Sequence, residues 1–204
     1  MRRDVLPEGS RPKSYVLRWY TLRWYALALS LLGLDQWSKS VASAQLEYGV
    51  PVEITSFFNI TLAHNPGAAF SFLSDAGGWQ HWLLGGIAGV VSLVLVVWIY
   101  RLRAGSLILA TGLALILSGA IGNLIDRIHL GYVVDFIQLH YQGWYWPAFN
   151  VADSAISIGA VLLLLDSFGP FSERDSSERD SPERGFADIS ETDRSQQEVS
   201  DERN

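Results

Sequence analysis

The chain has 204 residues, of which 49% are hydrophobic, and a formal net charge of −6. Residues 170–204 contain 11 of the 21 acidic residues and only five arginines, so the remainder of the chain is neutral. The net negative charge of the whole chain therefore identifies no binding partner for residues 1–169. The absence of cysteine excludes disulfides, thiolate nucleophiles and cysteine-ligated metals.

Four apolar segments are each long enough to cross a bilayer, because about 20 helical residues span roughly 30 Å of hydrocarbon. They cover approximately residues 24–44, 79–100, 106–125 and 150–168. The second and third contain no Asp, Glu, Lys or Arg, and the fourth is charged only at Asp153 and Asp166. The sequence therefore predicts four transmembrane helices.

The first of these segments has a second interpretation. Basic residues precede its apolar run, and Ala42, Ser43 and Ala44 follow it, as at the cleavage site of a signal peptide. Asp35 and Lys39, however, lie between the apolar run and that site, where a signal peptide has no need of charge. We therefore favour a transmembrane helix that is retained.

Basic residues predict the orientation of the four helices. They occur in the N-terminal segment and, as Arg101 and Arg103, between the second and third helices, and such residues favour the cytoplasmic side. Both termini would then be cytoplasmic, and two aromatic-rich segments, residues 45–78 and about 128–149, would lie on the outer face. In the first of them, apolar residues alternate from Val50 to Leu62, which predicts short strands with one buried face.

The predicted fold is a membrane all-α protein: a four-helix transmembrane bundle, residues 19–168, with a small β-sheet at about residues 45–78 on the outer membrane face. A cytoplasmic segment, residues 1–18, precedes the bundle. Residues 169–204 repeat Ser, Glu, Arg and Asp and cannot bury enough apolar surface to offset their ordering entropy. We therefore expect this C-terminal tail to be disordered and cytoplasmic.

Polar residues cluster at the predicted outer ends of the helices. Because such residues are costly to place in a membrane, they are candidates for a function. The cluster consists of Asp35, Lys39, Asn123, Asp126, Arg127, Asp135, Asn150 and Asp153. Several have a structural interpretation as well. Asp35 and Lys39 are four residues apart and can form an ion pair, and Asn150 can cap a helix that has Asp153 in its first turn. Asp126 and Arg127 can neutralise charged neighbours or hold loops.

Asp135 is harder to explain structurally, because four apolar residues flank it and an isolated carboxylate there needs a raised pKa or a partner. Asp153 is the natural partner. Two adjacent carboxylates share one proton, so that one can activate water while the other protonates a carbonyl oxygen, as peptide hydrolysis requires. Because the start of a helix favours negative charge, we expect Asp153 to be ionised and Asp135 to hold the proton.

Other functions have weaker support. Adjacent Ser38 and Lys39 cannot face each other on a helix, and the sequence has neither an HExxH motif nor a glycine-rich phosphate loop. We therefore predict no metal and no cofactor. A proton-coupled transporter would need polar residues across both leaflets, whereas these gather on one side. The third interpretation, a structural factor with buried ion pairs, would tolerate Asp135→Asn.

Four blocks of this sequence resemble lipoprotein signal peptidases, the signal peptidase II family. They are DQWSK (35–39), FFNITLAHNPGAAFSFL (57–73), GNLIDRIHLGYVVDFI (122–137) and FNVADSAI (149–156). The resemblance covers roughly residues 19–168 and implies an aspartic endopeptidase of the bacterial inner membrane, with its site near the outer leaflet. Such enzymes remove the signal peptide of prolipoproteins before a cysteine that carries diacylglycerol, and globomycin-type antibiotics block them.

The resemblance also assigns roles to residues. Asp135 and Asp153 match the catalytic pair of the family. Residues expected to bind substrate or support the site are Asp35, Lys39, Asn65, Gly67, Asn123, Asp126, Arg127 and Asn150. The expected partners are lipidated prolipoproteins and membrane lipids, with no nucleic acid, and we expect a monomer. The longer basic N-terminus and the acidic tail depart from the family pattern but lie outside the four blocks.

Overall fold

The computed structural model describes residues 14–67, 79–102 and 107–168. They form four helices: α1 (Ser14–Gln45), α2 (Gln80–Arg101), α3 (Leu107–Leu130) and α4 (Val151–Phe168). Three stretches, His81–Arg101, Leu107–Leu130 and Val151–Phe168, are long and apolar enough to cross a membrane. The predicted disordered tail, residues 169–204, and the first 13 residues lie outside the described part of the chain.

Helix α1 differs from the other three. Its 32 residues begin ten positions before the predicted span and include Arg18, Arg23, Asp35 and Lys39. These charges separate it from the three stretches that qualify as membrane spans by length and composition. The fourth transmembrane helix of the sequence analysis therefore stays a prediction.

Helix α3 lies at the centre of the helical part. Over half of its apolar window is buried (56%), against 22% for α2 and 17% for α4. The hydrophobic core where α1, α2 and α3 meet contains Trp24, Ala28, Leu95, Ile99, Ala110, Leu113, Ala114 and Leu117. The outer surfaces of α2 and α4 are left apolar and exposed, as expected of helices that face lipid.

Small residues on α3 allow its two neighbours to approach closely. A Cβ atom at Gly159 of α4 would lie 2.7 Å from the carbonyl oxygen of Gly112, and one at Gly119 would collide with the Ala152 carbonyl. A Cβ at Gly122 would lie 2.5 Å from Oδ2 of Asp35 on α1. Glycine at positions 119 and 122 therefore brings the start of α4 and α1 against the same end of α3.

The β-sheet is larger than the sequence predicted. Its strands are β1 (Val52–Thr55), β2 (Phe58–Asn65), β3 (Val133–Tyr141) and β4 (Trp144–Tyr145), antiparallel and in the order β1-β2-β3-β4. Strands β3 and β4 come from the segment between α3 and α4, outside the predicted sheet region 45–78. Between them, Gln142 and Gly143 have positive φ angles of 48° and 84°, which suits a two-residue hairpin turn.

The predicted burial of one apolar face holds only in part. All four residues of β1 are exposed, and in β2 the buried side chains are Asn59, Thr61 and Leu62. The pairing of β2 with β3 shifts its register between Ile60 and Ala63, which interrupts the alternation of the two faces. A simple period of two could not anticipate this irregularity.

Candidate active site

Strand β3 carries Asp135 into the interior directly after α3. The chain turns at Gly131, whose φ is 81°, and the next buried residues are Val133 and Val134. Asp135 pairs with Ala63 of β2 and is only 2% exposed. Asp135 and the two valines before it are therefore buried, and all three belong to a strand.

Asn65, at the end of β2, contacts this carboxylate. Its Nδ2 donates to Oδ2 of Asp135 at 3.0 Å, while its Oδ1 accepts from the backbone N–H of Gly67 at 3.1 Å. The turn at Gly67 therefore fixes the orientation of the Asn65 amide. Both residues were expected from the family resemblance. In the structure Asn65 contacts Asp135, and Gly67 contacts Asn65.

Asn150 and Asp153 form a reciprocal cap at the start of α4. The backbone N–H of Asp153 donates to Oδ1 of Asn150 at 2.9 Å, and the backbone N–H of Asn150 donates to Oδ2 of Asp153 at 3.3 Å. The helix-capping interpretation of the sequence is thus confirmed. The cap also holds the Asp153 carboxylate in one position.

The same asparagine links Asp153 to Asp135. The side-chain Nδ2 of Asn150 donates to Oδ1 of Asp135 at 2.7 Å and lies 3.2 Å from the carbonyl oxygen of Val134. Asn150 is fully buried. Asn150 therefore holds both carboxylates: Asp135 through its side chain and Asp153 through its backbone N–H. The two aspartates are 18 positions apart in the sequence.

Asn123 of α3 connects this pair to a buried cation. Its Nδ2 donates to Oδ1 of Asp153 at 2.7 Å. Its Oδ1 accepts from Lys39 Nζ at 3.0 Å and from Asn150 Nδ2 at 3.3 Å. Since the ammonium of Lys39 can only donate, it fixes which end of the Asn123 amide faces Asp153.

Lys39 forms a buried ion cluster with two further aspartates. Its Nζ lies 2.9 Å from Oδ2 of Asp35 and 2.9 Å from Oδ2 of Asp126, and all three side chains are at most 5% exposed. The ion pair predicted between Asp35 and Lys39 is confirmed. The predicted neutralising role of Asp126 is confirmed as well, with Lys39 as its partner.

Each aspartate of this ion cluster also holds a backbone N–H beside the candidate site. Oδ1 of Asp35 accepts from Ala152, the residue before Asp153, at 2.8 Å. Oδ2 of Asp126 accepts from Val134, the residue before Asp135, at 3.2 Å. The cluster therefore positions both segments that supply the two candidate catalytic carboxylates.

Gln36 is a site residue that the sequence analysis missed. Its Nε2 lies 3.0 Å from Oδ1 of Asp126, 3.2 Å from Oδ2 of Asp35 and 3.2 Å from the carbonyl oxygen of Gly122. It joins α1 to α3 beside the ion cluster. Its place inside the DQWSK block was the signal that could have identified it.

Arg127 connects the end of α3 to the turn after β2. Its Nη2 donates to the carbonyl oxygen of Gly67 at 3.2 Å and its Nη1 to that of Asn123 at 3.1 Å. Its Nε is buried and has no hydrogen-bond partner within the described part of the chain. The predicted role of Arg127 in holding a loop is confirmed.

These groups open onto a cavity of about 830 Å³. Asn65, Asn123, Arg127, Asp135 and Asp153 line its polar part. The remainder is largely apolar and is lined by Leu139, Trp146, Pro147, Ala148, Phe149, Ile156 and Ile158, among others. Both predicted catalytic carboxylates thus face one cavity of the size that accommodates small ligands and peptide segments.

His64, which the sequence analysis did not select, also lines this cavity. Its ring stacks on that of Tyr132, with centroids 4.0 Å apart, and lies 4.7 Å from the ring of Tyr48. Burial lowers the pKa of the His64 imidazole, so the neutral ring is favoured near neutral pH. It forms an uncharged wall beside the polar part of the cavity.

Burial raises the pKa of Asp135 to about 7, and the nearby carboxylate of Asp153 contributes in the same direction. The amide groups of Asn65 and Asn150 act in the opposite direction because they stabilise the charged form. Near neutral pH, Asp135 can therefore hold or release a proton. Among the described residues, no group of three or more His, Asp or Glu side chains is arranged to hold a metal ion.

Comparison with known proteins connects this site to a family. A family model described as signal peptidase (SPase) II matches residues 27–169. A lipoprotein signal peptidase of Acinetobacter baylyi is 58% identical over 142 residues, which cover 69% of this chain and 79% of that protein. One of Acinetobacter baumannii is 52% identical over 161 residues, covering 78% and 92%.

Two solved structures share this fold. A bacterial membrane enzyme determined by the in meso method at 2.3 Å resolution has a TM-score of 0.63 and 31% identity, and the match covers 72% of this chain and 90% of that one. A second such structure, at 1.9 Å, has a TM-score of 0.63 and 30% identity. The family model spans more than half of the chain and includes both candidate carboxylates, and the chain therefore belongs to the signal peptidase II family.

Proposed function

We propose that this protein is an intramembrane aspartic endopeptidase that removes the signal peptide from diacylglyceryl-modified bacterial prolipoproteins, cleaving before the lipidated cysteine. The observation that carries the proposal is the joint hold of Asn150 on two carboxylates in one cavity, at 2.7 Å for Asp135 and 3.3 Å for Asp153. Membership of the family and its named relatives support the substrate class. A transporter has no comparable support.

The proposed membrane arrangement has α1 as a fourth transmembrane helix and both termini in the cytoplasm. Arg101 ends α2, while Asp126 and Arg127 lie in the last turns of α3 and Asp153 in the first turn of α4. If basic residues mark the cytoplasmic side, α2 ends inside and the next two helix ends meet outside. The site would then lie near the outer leaflet of the inner membrane.

In the proposed reaction, a water molecule lies between the two carboxylates. Asp153, ionised, accepts a proton from this water as the oxygen attacks the carbonyl carbon of the scissile peptide bond. Asp135 donates its proton to the carbonyl oxygen, giving a neutral tetrahedral intermediate. When the C–N bond breaks, the leaving amine takes the proton from Asp153, and the intermediate hydroxyl returns its proton to Asp135.

The positions of the two carboxylates in the fold support this division of roles. Asp153 accepts from Asn123 and lies in the first turn of α4, where the helix dipole favours negative charge. Asp135 lies on a strand, with buried valines before it, and its pKa of about 7 allows it to hold a proton.

A cleavage assay with purified protein and a diacylglyceryl-modified prolipoprotein tests the proposal. Asp135→Asn and Asp153→Asn should each reduce kcat by about 10³-fold or more, because each removes one participant in proton transfer. Asp166→Asn is the matched control, since Asp166 lies on the same helix roughly 20 Å beyond Asp153. It should cleave at the wild-type rate.

All three variants must extract and unfold like the wild type for the comparison to hold. Turnover above about a tenth of the wild-type rate in either Asp135→Asn or Asp153→Asn would contradict the paired-carboxylate mechanism. An unlipidated version of the same substrate should be cleaved poorly. Equal cleavage of the two substrates would contradict the requirement for lipid.

A further inference from the structure

The helix ends farthest from the two carboxylates form a second region of charge. Asp35 of α1 lies against Gly122 near the end of α3, whereas Trp24 of α1 shares a core cluster with Ala110 near the start of α3. Helices α1 and α3 therefore run in the same direction. Because the early residues of α2 meet the end of α3, α2 runs the opposite way, and its last residue, Arg101, lies beside the starts of α1 and α3. We call this region the basic end.

Arginines dominate the charge at the basic end. Arg23 and Arg101 are both exposed, and neither forms a salt bridge within the described ranges. Helix α1 has no acidic residue before Asp35, α2 has none, and α3 has none before Asp126. On α4, which runs opposite to α3, Asp166 lies two residues before the helix ends at the same side. The positive charge of α1 and α2 at this end is therefore not balanced on those helices.

Arg23 is held in a defined position by two aromatic rings. Its guanidinium carbon lies 4.2 Å from the centroid of the Tyr20 ring and 4.7 Å from that of Trp24. The two rings contact each other edge to face, with centroids 6.1 Å apart. A guanidinium that stacks on aromatic faces keeps its N–H groups in a rigid planar fork. Arg23 therefore presents an oriented set of donors at the surface.

Two further donors beside Arg23 have no partner. The hydroxyl of Tyr20 and Nε1 of Trp24 are shielded from solvent and form no hydrogen bond in the part of the chain that the structure describes. Trp24 is only 8% exposed. Unpaired donors are costly in an apolar environment. The basic end thus has more donors than acceptors, and a group rich in acceptor oxygens complements it.

Exposed aromatic residues indicate that Arg23 lies at the level of the lipid headgroups. Trp19 and Tyr100 are both largely exposed, and such residues concentrate at the membrane surface. The hydroxyl of Tyr25 donates to the carbonyl oxygen of Val96 at 2.8 Å and sets the height of α1 against α2. Counted from this bond, Arg23 and Tyr100 lie roughly 3 and 6 Å further toward the same end.

We propose that the basic end binds the phosphate group of an anionic phospholipid, with Arg23 as its principal contact. Phosphate oxygens accept from a guanidinium fork in a paired geometry, and a headgroup of net negative charge complements the positive charge here. In the proposed membrane arrangement this lipid belongs to the inner leaflet. The site lies at the opposite end of the helices from the cavity, so the inference goes beyond peptide cleavage and is tested without substrate.

The test measures lipid binding to the full chain in neutral detergent by native mass spectrometry. The probes are phosphatidylglycerol and phosphatidylcholine with the same acyl chains. Wild type should bind phosphatidylglycerol more tightly. Arg23→Gln should weaken that binding about 5-fold, as expected for one basic residue at an anionic surface, and leave phosphatidylcholine binding unchanged. Inorganic phosphate at the same concentrations should not displace phosphatidylglycerol.

Asp166→Asn is the matched control, because it changes the charge at the same end by one unit in the opposite sense. A local contact at Arg23 predicts a much smaller change in phosphatidylglycerol binding than Arg23→Gln produces. Equal and opposite changes in the two variants would show diffuse attraction and overturn the proposal. Displacement of the lipid by inorganic phosphate would assign Arg23 to a free anion instead. Equal binding of both lipids by wild type would also overturn the proposal, and is the result expected if the acidic residues 170–204 cover Arg23.

Discussion

Asp35 and Asp126 each lie 2.9 Å from the Lys39 ammonium, whereas no salt bridge joins Asp135 or Asp153 to a cation in the described part of the chain. Both groups of carboxylates are largely buried and lie close together in the fold. The carboxylates of the ion cluster share one cation, whereas the candidate catalytic pair has only amide and backbone donors.

The difference separates structural carboxylates from reactive ones. Asp35 and Asp126 have their oxygens committed to Lys39, Gln36 and two backbone N–H groups, so they are fixed in position. Asp135 faces the cavity and its pKa lies near 7, so its charge can change. The protein thus uses the two carboxylates of the ion cluster to hold in place the two that face the cavity.

Removing the cation should have the largest effect on the ion cluster. Lys39→Met leaves two buried carboxylates without their counter-ion, and breaking a buried pair typically costs about 3–5 kcal/mol. Thermal or denaturant unfolding in detergent measures this loss. Arg23→Met is the control: it removes an exposed cation of the same helix, whose contact with Tyr20 and Trp24 is worth about 0.5–1 kcal/mol.

A second substitution distinguishes unpaired charge from lost packing. Adding Asp126→Asn to Lys39→Met removes one of the two uncompensated carboxylates and should recover part of the lost stability. If the double variant is no more stable than Lys39→Met alone, the destabilisation does not come from uncompensated charge, and the contrast between the two groups of carboxylates is wrong.

A smaller effect is expected from Gly122→Ala. The added Cβ would lie 2.5 Å from Oδ2 of Asp35, so Asp35 must move away from Lys39 and from the start of α4. Overpacking of this kind costs about 1–3 kcal/mol. Gly86→Ala on α2, where a Cβ meets nothing within 4 Å, should be neutral or stabilising. Equal stability of the two variants would show that the close approach of α1 to α3 has no role.

The sequence predicted much of this arrangement because the relevant patterns are local. Long uncharged runs identified α2, α3 and α4, the Asn150–Asp153 spacing identified a cap, and the Asp35–Lys39 spacing identified an ion pair. The four blocks named the residues that surround the cavity. Each of these inferences depends on residues that are only a few positions apart, such as an i,i+3 helix cap or an i,i+4 ion pair.

The remaining features depend on contacts between distant segments. Nothing near Asp35 indicates that it accepts from the backbone of Ala152, 117 residues away, or that Asp126 shares Lys39 with it. Strand β3 reads as an apolar run broken by Asp135 and becomes a strand by pairing with β2. Such features follow from packing of the whole fold, which no short window of sequence specifies.

The location of the proton tests the central claim most directly. Infrared spectroscopy of protein with isotopically labelled Asp135 distinguishes the protonated carboxyl from the carboxylate. Since the pKa of Asp135 is raised to about 7, the protonated band should dominate below that pH and be replaced by the ionised band as the pH rises through it. Asp153→Asn, which removes the neighbouring negative charge, should move this transition to lower pH. An ionised band for Asp135 throughout the range from pH about 5 to 8, or a transition unaffected by Asp153→Asn, would contradict a proton shared between these two carboxylates.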